Sequence, residues 1–116
     1  MPQFLVAIHH PDDFKPGSES EATGQDIHDL NKEMIAAGVR VFAGGLDLSS
    51  PKSVQAQANG EVKVTDGPYL KTKEQVGGFW ILECADMDAA LGWARKATVA
   101  CKTPVEVRQF FFKPAS

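Results

Sequence analysis

The order of hydrophobic patterns along the chain is strand, helix, strand, hairpin, strand, helix, strand. It predicts an α+β fold of ferredoxin-like βαββαβ plan with an inserted β-hairpin. Three observations carry this. Apolar runs with strand character lie at Phe4–His9, Val39–Leu46, Gly78–Cys84 and Val105–Phe112. Two stretches with apolar residues at helical spacing separate them in pairs. Between the second and third runs, Asn59-Gly60 flanked by alternating Val54, Val62 and Val64 marks a hairpin. With 116 residues, the chain has the size of one domain, here taken as 1–116, and buries enough surface for one core.

The first strand, Phe4–His9, sends Phe4, Val6 and Ile8 one way and Leu5, Ala7 and His9 the other. Both sets are largely apolar, as in a central strand. His10-Pro11-Asp12-Asp13 ends it, and Phe14–Ser20 is a loop holding Pro16-Gly17. Ser18 or Ser20 caps the first helix, with Glu19 and Glu21 beside its positive end and Gly24 weakening its start. Ile27, Leu30, Met34 and Ile35 form its apolar stripe. Gly38 marks its end. The second strand runs Val39–Leu46, with a bend or bulge expected at Gly44-Gly45.

The hairpin, Ser53–Thr65, has an arguable register. A two-residue Asn59-Gly60 turn sets Ala58 against Glu61 and splits the valines between faces. A three-residue Ala58-Asn59-Gly60 loop pairs Ala56 with Val62 and Val54 with Val64. It leaves Gln55, Gln57, Glu61 and Lys63 on the wet face and places Gly60 at the left-handed position. The three-residue loop is the prediction.

Asp66-Gly67-Pro68 is turn chemistry. A polar excursion from Lys71 to Gln75 follows, and Gly77-Gly78 opens the next strand. Phe79 and Ile81 oppose Trp80, Leu82 and Cys84. Asp86 caps the second helix, whose stripe is Met87, Ala90, Leu91, Ala94 and Ala97, with Trp93 on its flank. Val105–Phe112 is the last strand.

Two helices cover one face of such a sheet, while its strands are apolar on both. A bare face is a large exposed patch. A two-fold homodimer that buries more than about 1,000 Å² is the economical expectation. The net charge of −3 and a pI of about 5.5 disfavour direct nucleic-acid contact, which needs a basic footprint. Without a signal-like start or an apolar run of about 18 residues, no membrane partner is expected and the location is read as cytoplasmic. Cys84 reads as a small buried hydrophobe, and Cys101, after a helix, as partly exposed. Neither has zinc-ligand spacing, so no metal is expected.

DGPY followed by LKTKEQVGGFW resembles the DGPF motif and trailing TKEQxGG segment of the YCII-related (DGPF domain) family. NKEMIAAGVRVFAGGL, DMDAALGWARK and PVEVRQF are similar to that family's first helix and second strand, second helix and last strand. The resemblance implies a dimeric α+β barrel. It also implies a His–Asp pair whose histidine comes from the first helix. Counted back from Gly38 that position is Ile27, with His28 its neighbour. DGPF-type domains also keep company with sigma factors, which implies a non-catalytic regulatory or protein-interaction module as the alternative function.

Residues suited to acid–base work are His28, His9, Asp66 and Glu74, each with a structural reading beside it. His28 is otherwise an exposed helical histidine and His9 a half-buried one. Asp66 otherwise locks the turn, and Glu74 belongs to a solvated charge run. Tyr69, Lys71 and Asp47 are candidates for binding. Tyr69 then forms a pocket wall, and Asp47 is otherwise a turn residue in DLSSP. GxGxxG, P-loop, GxSxG and HExxH patterns are missing from the sequence, which disfavours nucleotide and serine-hydrolase chemistry. The expected activity is cofactor-free acid–base chemistry on, or binding of, a small aromatic or apolar molecule.

Overall fold

The computed structural model describes residues 1–15 and 17–111. The main sheet contains β1 (Gln3–Pro11), β2 (Arg40–Gly45), β5 (Glu74–Glu83) and β6 (Val105–Gln109), in the order β2-β5-β1-β6, every neighbour antiparallel. α1 (Glu21–Ala36) and α2 (Met87–Cys101) make the two crossovers. This is the predicted ferredoxin-like α+β arrangement. β3 (Lys52–Ala56) and β4 (Val62–Asp66) form a separate two-stranded sheet.

Local chemistry places the helix starts. Ser20 Oγ accepts the Thr23 N–H (3.2 Å) at the head of α1, and Asp86 Oδ1 accepts the Ala89 N–H (2.9 Å) at the head of α2. Gly24 lies inside α1 without interrupting it. α2 ends at Lys102 in a left-handed conformation, φ 56°, that glycine usually supplies.

The core lies between the helices and the even-numbered residues of β1 and β5. Phe4, Val6, Trp80, Leu82 and Cys84 meet Leu30 and Met34 of α1 and Ala90, Ala94 and Ala97 of α2. The alanine stripe lets α2 approach the sheet closely. Full burial of Phe4, Val6, Met34 or Leu82 stabilises the fold by roughly 1.5–3 kcal/mol each. Of the expected stripes, Ile35 and Met87 are exposed, while Ala100 and Cys101 extend the α2 stripe inward. Cys101 is therefore buried rather than partly exposed, because it is still the last helical residue.

The opposite face carries Leu5, Ala7, Phe79, Ile81 and Phe42, with the Phe42 and Phe79 ring centroids 5.9 Å apart. Its β6 margin is ionic: Arg108 Nε donates to Glu106 Oε1 at 2.8 Å. No element of the chain covers this face among the described residues, and Phe42 stays 54% exposed.

The hairpin register is the predicted one. Val54 pairs with Val64 and Ala56 with Val62. Gln57 N–H donates to Glu61 O (2.7 Å) across an Ala58-Asn59-Gly60 loop, with Gly60 at φ 89°. All three valines are more than 60% exposed, so the hairpin stands clear of the core. The radius of gyration, 16.3 Å against about 13 Å for a compact chain of this length, reflects that projection.

Three boundaries differ from expectation. The β2 irregularity falls between Arg40 and Phe42, not at Gly44-Gly45, which pair regularly with Phe79 and Gly78. β5 begins at Glu74 because Glu74 and Gln75 pair with Pro11 and His10, extending both strands. β6 stops at Gln109, while Phe110 and Phe111 are exposed. Phe112 and Pro16 lie outside the described residues.

Candidate functional site

Even-numbered residues of β1 face the helices, so after Phe4, Val6 and Ile8 the next inward residue is His10. Opposite it, β5 carries a bulge. Ile8 pairs with Gly78 and His9 with Val76, which leaves Gly77 as the extra residue. The imidazole occupies the space this glycine leaves. A Cβ on Gly77 would stand 2.3 Å from His10 Cδ2 and 3.1 Å from Cγ. The same ring stacks on Phe14, with centroids 3.8 Å apart and planes 8° from parallel.

These groups border a cavity of about 640 Å³ between the end of the sheet, α1 and the loop before α1. Its lining includes His10, Phe14, Glu19, Ile27, Trp80 and the backbone of Gly44, Gly45, Gly77 and Gly78. Gly45 and Gly78 leave a side-chain-free surface, while the space over Gly77 is filled by the imidazole. A smaller cavity of about 270 Å³ shares His10, Phe14, Glu19 and Ile27 and reaches Cys101 and Thr103. A third, about 480 Å³, sits at the hairpin base and includes Leu46, Asp47, Pro68, Lys71 and Gln75. A shallow depression of about 710 Å³ between α2 and β6 presents neither imidazole nor carboxylate.

Burial lowers the His10 pKa below its ordinary value, and the nearby Glu19 charge partly opposes that. The ring is thus mainly neutral at pH 7, able to donate through one nitrogen and accept through the other. Asn31 is occupied structurally. Its Oδ1 accepts the Trp80 indole N–H (2.9 Å), and its Nδ2 donates to Ile27 O (3.0 Å). Burial pushes the Cys101 thiol up to about 11, so it stays protonated and unreactive near neutral pH.

The residues singled out in the sequence do not converge. Ile27 lines the cavity, whereas its neighbour His28 is exposed and outside it. His9 lies on the open sheet face, one residue out of phase with His10. There its charge contributes to holding the exposed Glu106 carboxyl low, after the larger effect of Arg108. Asp47 borders two cavities, but it accepts from Ser49 N–H (2.9 Å) and Oγ (2.6 Å), which hold its carboxyl low and close a turn. Asp66 pairs across the hairpin with Lys52 instead of bonding the turn amides. The DGPY turn is held by Gly67 N–H to Pro51 O (2.8 Å) and Ser53 Oγ to Gly67 O (2.6 Å). Tyr69 is 71% exposed, Glu74 is exposed at the start of β5, and Lys71 lines the hairpin-base cavity.

His10 is the residue that sequence reasoning passed over. Its signal was present, because it continues the inward parity of Phe4, Val6 and Ile8. The Pro11 that follows hid it by suggesting that the strand had ended. Among the described residues, no three His, Cys, Asp or Glu side chains are grouped to hold a metal ion. No helix among them is long and apolar enough to cross a membrane.

The family model described as YCII-related domain matches residues 1–111. The uncharacterized protein R00369 of Rhizobium meliloti (strain 1021) is 32% identical over 77 residues, which cover 66% of this chain and 62% of that protein. The matched stretch thus spans less than two thirds of that relative's length.

Proposed function

The chain belongs to the YCII-related family, and from that premise we propose that it binds a small, largely apolar molecule in the cavity beside His10 and moves a proton on it. The carrying observation is the imidazole itself. It is half-buried, set against Gly77 and Phe14, and opens on a cavity of about 640 Å³. A neutral imidazole is suited to general acid–base work without a cofactor. Isomerisation or elimination at an acidic C–H is the reaction class this arrangement favours. Ile27 stands where a helix histidine is implied by the resemblance, and His10 reaches the same cavity from the strand side.

The test is a thermal-shift screen of small aromatic and alicyclic compounds against the native chain and His10→Gln. Ligands that stabilise the native chain and lose most of that effect in His10→Gln support the reading. Equal stabilisation of both would overturn it.

The open sheet face favours a second, compatible reading: association with another copy. Leu5, Phe42, Phe79 and Ile81 form an apolar strip that no other element covers among the described residues. A homodimer that buries this strip is expected in light scattering at micromolar concentration, and Phe42→Asp is expected to shift it to monomer. A monomeric native chain rules the dimer out and leaves the regulatory, partner-binding alternative as the use of that face.

A further inference from the structure

We propose that the ligand of the His10 cavity is a planar, hydrogen-bond-donating molecule that is neutral or cationic, and that anionic analogues are rejected. This rests on the reading of that cavity as a small-molecule site. Shape supplies the first reason. The backbone of Gly45 and Gly78 leaves part of one wall without side chains, and the His10–Phe14 stack presents flat rings nearby. A flat ring system suits both surfaces.

The second reason is the inventory of polar groups. Among the described residues, the formally charged ones that line this cavity are Glu19 and Asp47, both acidic, with no lysine or arginine beside them. Two carboxylates accept hydrogen bonds and donate none. Asp47 is kept ionised by the Ser49 contacts, so its charge persists through the neutral range. Glu19 lines both of the adjoining cavities. Lys102 lines the smaller cavity, and its ammonium faces Asp26 at 3.5 Å. The Leu46 N–H at this end of the sheet is already given to Gly77 O (2.9 Å).

A ligand carboxylate or phosphate therefore enters a field of its own sign and finds few donors. A hydroxyl or ammonium group finds acceptors at Glu19 and at the imidazole. Juxtaposed like charges are a strong discriminator between otherwise similar ligands.

The experiment uses three probes that share an indole ring and differ in the charge of the side chain: tryptamine, tryptophol and indolepropionate. Dissociation constants are measured by calorimetry near neutral pH. The nitrogen signals of the His10 ring are followed by NMR to report occupancy of this cavity. Tryptamine and tryptophol are expected to move the His10 signals and to bind roughly tenfold or more tighter than indolepropionate. Glu19→Gln is expected to narrow that gap. Indolepropionate that moves the His10 signals and binds as tightly as tryptamine would overturn the charge preference while leaving the cavity as a binding site. An unchanged gap in Glu19→Gln overturns the part assigned to Glu19. If none of the three moves the His10 signals, the ligand class and the proposed site fall together.

Discussion

Gly77→Ala isolates the placement of His10 from the stability of the sheet. The added methyl carbon would lie 2.3 Å from His10 Cδ2, 3.1 Å from Cγ and 3.4 Å from Cβ. Ordinary carbon contacts begin at ~3.5 Å, so the ring retreats by roughly 1 Å or rotates away from Phe14. Overpacking costs about 1–3 kcal/mol, with the low end expected here because the ring is only half-buried and can swing outward. Alanine in place of a strand glycine returns about 0.5–1 kcal/mol. The net change in stability is therefore about 1 kcal/mol or less, a few degrees in Tm. The histidine responds more than the fold does. Its pKa is expected to rise toward 6.5 as burial is relieved, and its ring-current coupling to Phe14 to weaken. Gly78→Ala is the control. Its methyl meets backbone, Gly44 O at 3.1 Å and Gly45 Cα at 3.4 Å, with Ile8 Cδ1 also at 3.4 Å. Backbone cannot swing aside, so this variant is expected to lose about 1–3 kcal/mol by forcing β2 from β5. NMR titration of His10 and chemical denaturation measure the two effects. An unchanged His10 titration in Gly77→Ala refutes the described seat of the imidazole.

Asn31→Ala removes the acceptor of the buried Trp80 N–H and is expected to destabilise the fold by about 1–3 kcal/mol in urea unfolding, with a changed Trp80 emission. For His10 the folded pKa lies below the unfolded value of 6.5, so the unfolded chain takes up the proton first. Stability is then whole above 6.5 and declines as pH falls through the lower folded value, a slope that His10→Gln is expected to reduce in pH-dependent melting. Cys101 has the opposite sign. Its stabilising effect is complete below 9.0 and fades as pH rises toward about 11. At pH 8 both Cys84 and Cys101 are expected to resist Ellman's reagent in the native chain and to react on unfolding. Gly60→Val, at φ 89°, is expected to loosen the hairpin by about 1 kcal/mol or more and to leave the core amides protected in hydrogen exchange.

What the sequence determined by itself was local or periodic. Ser20 and Asp86 start helices because a side-chain oxygen meets an amide three residues on. The hairpin register followed because one slip would scatter Val54, Val62 and Val64 across two faces. The element order followed from where the hydrophobic period changes from two to 3.6. Tertiary structure alone decided the site. His10 enters the cavity only because β5 reaches back to Glu74, keeps β1 paired through Pro11, and bulges at Gly77 to make room. His28 and Ile27 are adjacent letters, and a turn of about 100° separates their surroundings. Where α1 crosses the sheet decides which one meets the cavity. Cys101 reads as partly exposed when the end of α2 is placed too early, and the packing of that last turn is a long-range contact. Short-range rules fix what each segment becomes. The surroundings of a side chain depend on segments distant in the chain, and no pattern within one segment records them.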